Sequence, residues 1–139
     1  MYGCYNLEYE LDFQKINVGG KNGWYGGSTF SKSGLKGKVD IKEGPTKIDN
    51  FEGTKIESII FPKTTVEVRW SLCMNCSKLE DIRFKAITPP IGVDNNTFRD
   101  TNNCPIYVPD ESLNLYKEAT NWIQYANRIK PFSEFMEIV

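Results

Sequence analysis

The stretch Cys73-Met74-Asn75-Cys76-Ser77-Lys78-Leu79-Glu80-Asp81-Ile82-Arg83-Phe84 decides how this chain folds. It opens as an irregular turn and then sets apolar residues at Leu79, Ile82 and Phe84 among polar ones, the alternation of a short half-buried strand. Upstream the same order returns in Phe51-Glu52-Gly53-Thr54-Lys55-Ile56-Glu57-Ser58-Ile59-Ile60-Phe61-Pro62 and again from Phe30 to Ile41. Partial copies run from Phe98 to Val108 and from Met1 to Phe13. The residues closing the copies are Phe13, Ile41, Phe61, Phe84 and Val108, so the periods are 28, 20, 23 and 24 residues. Such periods predict a solenoid of short strands and turns. One copy buries too little apolar surface to fold alone, so neighbours must stack into a continuous core.

Three features together resemble the BspA-like leucine-rich repeats and their C-terminal cap: the pattern Phe-x-x-(Cys/Gly/Ser)-x-Leu-x-x-Ile-x-Phe-Pro, the Thr88-Pro89-Pro90 link ahead of Thr97-Phe98, and Cys104-Pro105-Ile106-Tyr107-Val108-Pro109. The resemblance spans residues 28 to 132 and is specific in the cap, looser in the copies. Cys73 stands where Phe is usual, and the insert before Phe30 is longer than the family period. What it implies is a leucine-rich-repeat solenoid of parallel short β-strands joined by irregular or short helical turns, in the β-rich α/β superhelix class. Residues 1–109 would hold about five repeats, the first and last partial, with a Gly-rich insert at 18–27; residues 110–139 would form the cap. The resemblance also implies a non-enzymatic module for protein or glycan recognition or adhesion, as on surface proteins of Bacteroidales-type bacteria and related phage proteins.

The cap can be read locally. Pro109-Asp110-Glu111 predicts a helix start with Asp110 as N-cap and acidic charge in the first turn. Leu113, Tyr116 and Ala119 then fall on one face. Thr120 or Asn121 opens a second short turn whose Trp122, Ile123 and Ile129 cover the last strand, and Pro131 ends it. Apolar residues at helical spacing point to core rather than to a ligand site at Trp122 and Tyr125.

A length of 139 residues with 40% hydrophobic content suits one domain with its own core. No apolar run is long enough for a membrane span. A net charge of -1 gives no electrostatic case for nucleic acid or an anionic membrane. Lys32, Lys36, Lys38, Lys42 and Lys47 crowd one stretch, but Asp40 and Glu43 dilute them into a solvated face. Met1 is followed at once by repeat-like residues, with no basic or apolar leader. Two locations are therefore expected: extracellular or cell surface within a longer secreted protein, or a virion if Met1 is the native start. In the second case the chain is a structural assembly component, a phage fibre or a tail- or capsid-associated protein, docking through its uncapped N-terminal repeat. Self-association through the first strand, Tyr9 to Phe13, is expected from the same open edge.

The chain has no histidine, which removes Ser-His and Cys-His nucleophile pairs and a Cys₂His₂ zinc site. No carboxylate pair stands out, so no enzyme, catalytic residue, metal or cofactor is expected. Cys73 and Cys76 form a C-x-x-C that in isolation suggests redox or metal chemistry. Cys4 and Cys76 share a repeat position, however, which favours turn residues packed inward. A disulfide and a zinc site recruiting Cys104 are the alternatives.

Candidate binding residues lie in Val18-Gly19-Gly20-Lys21-Asn22-Gly23-Trp24-Tyr25-Gly26-Gly27. Glycines make this backbone permissive, and the rings of Trp24 and Tyr25, flanked by Lys21 and Asn22, are of the kind that anchor proteins or stack on sugars. In the competing reading both rings tuck over a neighbouring repeat. Further on, Val66, Val68 and Trp70 share one face of an alternating segment and Glu67 and Arg69 the other, which places Trp70 in the core.

Overall fold

A computed structural model describes residues 24–25, 32–49 and 51–138. Its strands are β1 (Trp24–Tyr25), β2 (Lys36–Asp40), β3 (Lys47–Ile48), β4 (Lys55–Phe61), β5 (Glu67–Val68), β6 (Asp81–Phe84), β7 (Ile106–Val108) and β8 (Ile129–Pro131). They form a five-stranded sheet in the order β2-β4-β6-β7-β8 and a three-stranded sheet in the order β1-β3-β5. Every ladder is parallel. The helices are few and short: α1 (Leu113–Glu118) and α2 (Phe132–Ile138), with 3₁₀ turns at Asp110–Ser112 and Ile123–Arg128. The fold is thus a mostly parallel α/β arrangement.

Register explains why these segments are strands. Val39 pairs with Ile59, Ile59 with Ile82, Ile82 with Ile106 and Ile106 with Ile129, and all five are at most 1% exposed. Branched side chains repeated at one register position bury one another across the strand spacing. One pleat further on, Phe61 pairs with Phe84, and their rings stack with centroids 4.5 Å apart. The large sheet therefore buries an apolar face on which every strand contributes at the same level.

The turns before the strands are aligned too. Lys32, Gly53, Asn75 and Asp100 have φ of 54°, 71°, 64° and 55°. The Lys32 N–H donates to Glu52 O, the Gly53 N–H to Met74 O and the Asn75 N–H to Arg99 O. Glycine takes this left-handed conformation without the Cβ penalty, and Asn and Asp tolerate it better than most residues.

On the small sheet Ile48 and Val68 are buried, and Ile91 extends the ladder by bridging to Glu67. At Gly92, with φ +99°, a Cβ would stand 1.9 Å from Val68 O. Only glycine permits this approach.

The C-terminal third closes the core with aromatic rings whose polar tips all find backbone partners, as buried Tyr and Trp require. Tyr116 Oη donates to Ala86 O (2.6 Å), Trp122 Nε1 to Pro90 O (2.9 Å) and Tyr125 Oη to Asp94 O. Trp122 meets Phe84 edge-on at 5.1 Å and Tyr116 at 4.9 Å. Leu113 and Ala119 pack against this core beside Tyr116, on the face the spacing indicates.

Four local expectations fail. Trp70 is 51% exposed and Val66 59% exposed, because β5 is only two residues long and the alternation stops at Val68. Leu72 and Cys73 take the buried positions instead, in a turn where Thr97 Oγ1 donates to Trp70 O and the Cys73 N–H donates to Thr97 O. Asp110 does not cap its own turn: Pro109 precedes that 3₁₀ turn with no side-chain cap bond, and Asp110 Oδ1 instead accepts the Ser133 N–H, in the first turn of α2, at 3.0 Å. Ile123 is 62% exposed and covers no strand. The second short turn ends at Arg128 rather than at Pro131, which instead closes β8, and β8 adds a fifth strand beyond Val108.

Candidate functional site

Trp24 and Tyr25 lie in β1 rather than in a loop, paired in register with Lys47 and Ile48. Lys21 and Asn22 fall outside the described residues, as do Tyr9 to Phe13 and Cys4. The structure therefore places two of the four candidate binding residues on the first strand of the small sheet. Trp122 and Tyr125 are buried in the core.

Cys73, Cys76 and Cys104 are buried free thiols. Cys76 Sγ donates to Phe51 O at 3.0 Å and lies 3.4 Å from Thr54 Oγ1. Burial pushes its pKa up to about 11, and burial raises Cys73 and Cys104 as well. A thiol held in its neutral form is a poor nucleophile. Arg128 Nη2 reaches Cys104 Sγ at 3.7 Å while Arg128 Nε donates to Cys104 O at 2.8 Å, so these groups tie the last turn to the cap. Among the described residues no group of three or more His, Cys, Asp or Glu side chains is placed to hold a metal ion.

The outer face of the large sheet carries the chemistry that sequence reasoning missed. Its register column runs Asp40, Ile60, Arg83, Tyr107 and Lys130, with Ser58 opposite Asp81 beside it. Ser58 Oγ donates to Asp81 Oδ1 at 2.6 Å. Arg83 Nε reaches the same oxygen at 3.4 Å, and Arg83 Nη2 reaches Ser58 Oγ at 3.4 Å. Ser58 is only 5% exposed, so its hydroxyl orients Asp81 and Arg83 rather than facing a substrate.

The first turn of α2 returns over this face. Phe135 meets Tyr107 edge-on at 5.0 Å, and the Arg83 guanidinium lies 4.3 Å from the Phe135 ring centroid, a cation–π geometry. The Tyr107 phenol is pushed up by burial, with Glu134 and Asp81 adding to the rise and Arg83 opposing it. Between α2 and the sheet runs an open groove of about 220 Å³, lined by Ile60, Arg83, Lys85, Phe132 and Phe135. Lys85 Nζ stands 3.9 Å from Glu43 Oε2, both side chains being well exposed. The arrangement can hold and orient a group. Two sequence signals point to it: the outward positions of successive strands, and Phe132-x-x-Phe135 at helical spacing after Pro131.

In comparison with known proteins, the chain matches no protein-family model and no curated protein.

Proposed function

We propose that this chain is a short solenoid of the BspA-like type, acting as a non-enzymatic recognition or adhesion module at a cell surface and binding a protein or glycan partner. The observation that carries the reading is the division of labour along the large sheet. Inward positions repeat one apolar chemistry at one register, Val39, Ile59, Ile82, Ile106 and Ile129, while the outward column is mixed: Asp40, Ile60, Arg83, Tyr107 and Lys130. An apolar stack supplies a scaffold, and a varied outward column is how such a scaffold carries specificity. The stacked left-handed turns at Lys32, Gly53, Asn75 and Asp100 support the same reading.

Trp24 and Tyr25, on β1 of the other sheet, together with Lys21 and Asn22, are the proposed contact residues. The test is to probe a glycan array and a displayed peptide library with the full chain. Saturable binding is expected, lost on joint Trp24→Ala and Tyr25→Ala substitution with an unchanged melting temperature. A large fall in melting temperature would make the two rings core. Turnover of any arrayed substrate, abolished by substituting a single carboxylate, would make the molecule an enzyme instead.

A further inference from the structure

The groove beneath α2 has a chemistry of its own. Arg83 carries five N–H donors in a planar fork, yet only Nε and Nη2 are engaged, each at 3.4 Å, the long limit of a hydrogen bond. Nη1 has no partner among the described residues, and the Arg83 side chain is only 20% exposed. A guanidinium so enclosed ordinarily spends its donors. Lys85, on the same wall, has only the 3.9 Å approach to Glu43, beyond hydrogen-bond length. The remaining walls, Ile60, Phe132 and Phe135, are apolar.

We infer that this groove binds a small monocarboxylic acid with a compact aromatic or branched aliphatic body. The carboxylate takes the unspent Nη1 edge of Arg83 and the Lys85 ammonium, and the body lies against Ile60, Phe132 and Phe135. Asp81 and Ser58 act as positioning residues, holding the guanidinium plane from its far side. Three features select this ligand. Arg83 pairs with Asp81 through Nε but keeps Nη1 unspent, and Lys85 is held only loosely by Glu43, so both can take an anion's oxygens; the apolar walls call for a body that carries no second charge, and a groove of about 220 Å³ admits a group of phenyl or leucyl size. The inference rests on the recognition reading, extended to a second site. The two fail separately, because substitutions at Trp24 and Tyr25 leave the groove intact and groove substitutions leave β1 intact.

The experiment is a titration of the isotope-labelled full chain with phenylacetate, followed through backbone amide shifts. Benzyl alcohol and phenethylamine serve as neutral and cationic analogues. Phenylacetate is expected to move the amides of Ile60, Arg83, Lys85, Phe132 and Phe135 to saturation with a Kd on the order of 1 mM, as befits a ligand of so few atoms. Benzyl alcohol should bind at least about tenfold more weakly, since it cannot form charge-assisted bonds. Arg83→Gln is expected to abolish the shifts. Lys85→Gln, at an exposed side chain whose loss leaves the fold standing, should weaken binding about threefold, the effect of one partly screened charge. Equal binding of the neutral analogue, shifts scattered away from the groove, an unaltered Kd in Lys85→Gln, or no saturation would each overturn the proposal.

Discussion

Replacing Gly92 by alanine is the sharpest test of how the small sheet is extended at β5. The added Cβ would sit 1.9 Å from Val68 O and 3.1 Å from Val68 C, both backbone atoms that cannot swing aside like a flexible side chain. Relief requires β5 and the Ile91 segment to part by about 1 Å, because carbon and oxygen do not approach much closer than van der Waals contact. That movement breaks two backbone bonds, Val68 N–H to Ile91 O and Ile91 N–H to Val66 O, each 2.9 Å. Each is worth about 1 kcal/mol. Forcing alanine to φ +99° adds about 1–2 kcal/mol. The expected loss is therefore about 3–4 kcal/mol, a fall in melting temperature on the order of 10–15 °C for a domain of this size. Circular dichroism melting and urea titration read it directly. Gly44→Ala is the control, since Gly44 has φ +137° with nothing within 4 Å of the added atom; it bears the conformational cost alone. If Gly92→Ala melts no lower than Gly44→Ala, the close approach of the two segments is wrong.

The buried thiol gives a pH dependence. The folded-state pKa of Cys76, about 11, lies above its ordinary value of 9.0, so the stability it contributes is complete below pH 9 and is lost as pH rises toward 11. The loss is about 3 kcal/mol over that window, and urea midpoints in Cys76→Ala should fall correspondingly less steeply between those pH values than in the parent. An identical alkaline slope would count against the burial. The exposed and buried tryptophans should also separate. Trp70→Ala is expected to change stability by no more than about 0.5 kcal/mol, whereas Trp122→Ala, which empties a site shared with Phe84, Phe98 and Tyr116, should cost about 3–5 kcal/mol. Equal effects at the two sites would reverse their placement.

Much of the strand content is legible locally. Ile82 and Phe84 are each 0% exposed because alternate residues of a strand face one way, and that periodicity is written in the order of residues alone; Leu79, also 0% exposed, is buried in the turn before the strand. Ile41, Phe61, Phe84 and Val108, the closing residues of four copies, are likewise buried. Trp70 escaped the same rule because its segment holds only two strand residues, Glu67 and Val68, and nothing local announces that the chain turns after them. Asp110 has the chemistry of a helix cap, but its carboxylate is taken by a residue 23 positions away. Its folded-state pKa is lowered by that Ser133 contact, which no local reading contains.

The candidate site follows the same division. By itself the sequence determined which residues of the longer strands alternate inward and that nucleophile pairs built on histidine are absent, since these depend on neighbours within a few positions or on composition. Only the tertiary structure decided that Arg83 shares a groove with Lys85, Phe132 and Phe135, that Ser58 and Asp81 hold the guanidinium from behind, and that the carbonyl of Pro90 meets the indole of Trp122. Apart from Asp81, Arg83 and Lys85, which alternate along one segment, those meetings join residues 23 to 52 positions apart in the chain. Chain spacing carries little information over such distances, because it is the stacking of strands and the return of α2 over the sheet that bring the groups within reach.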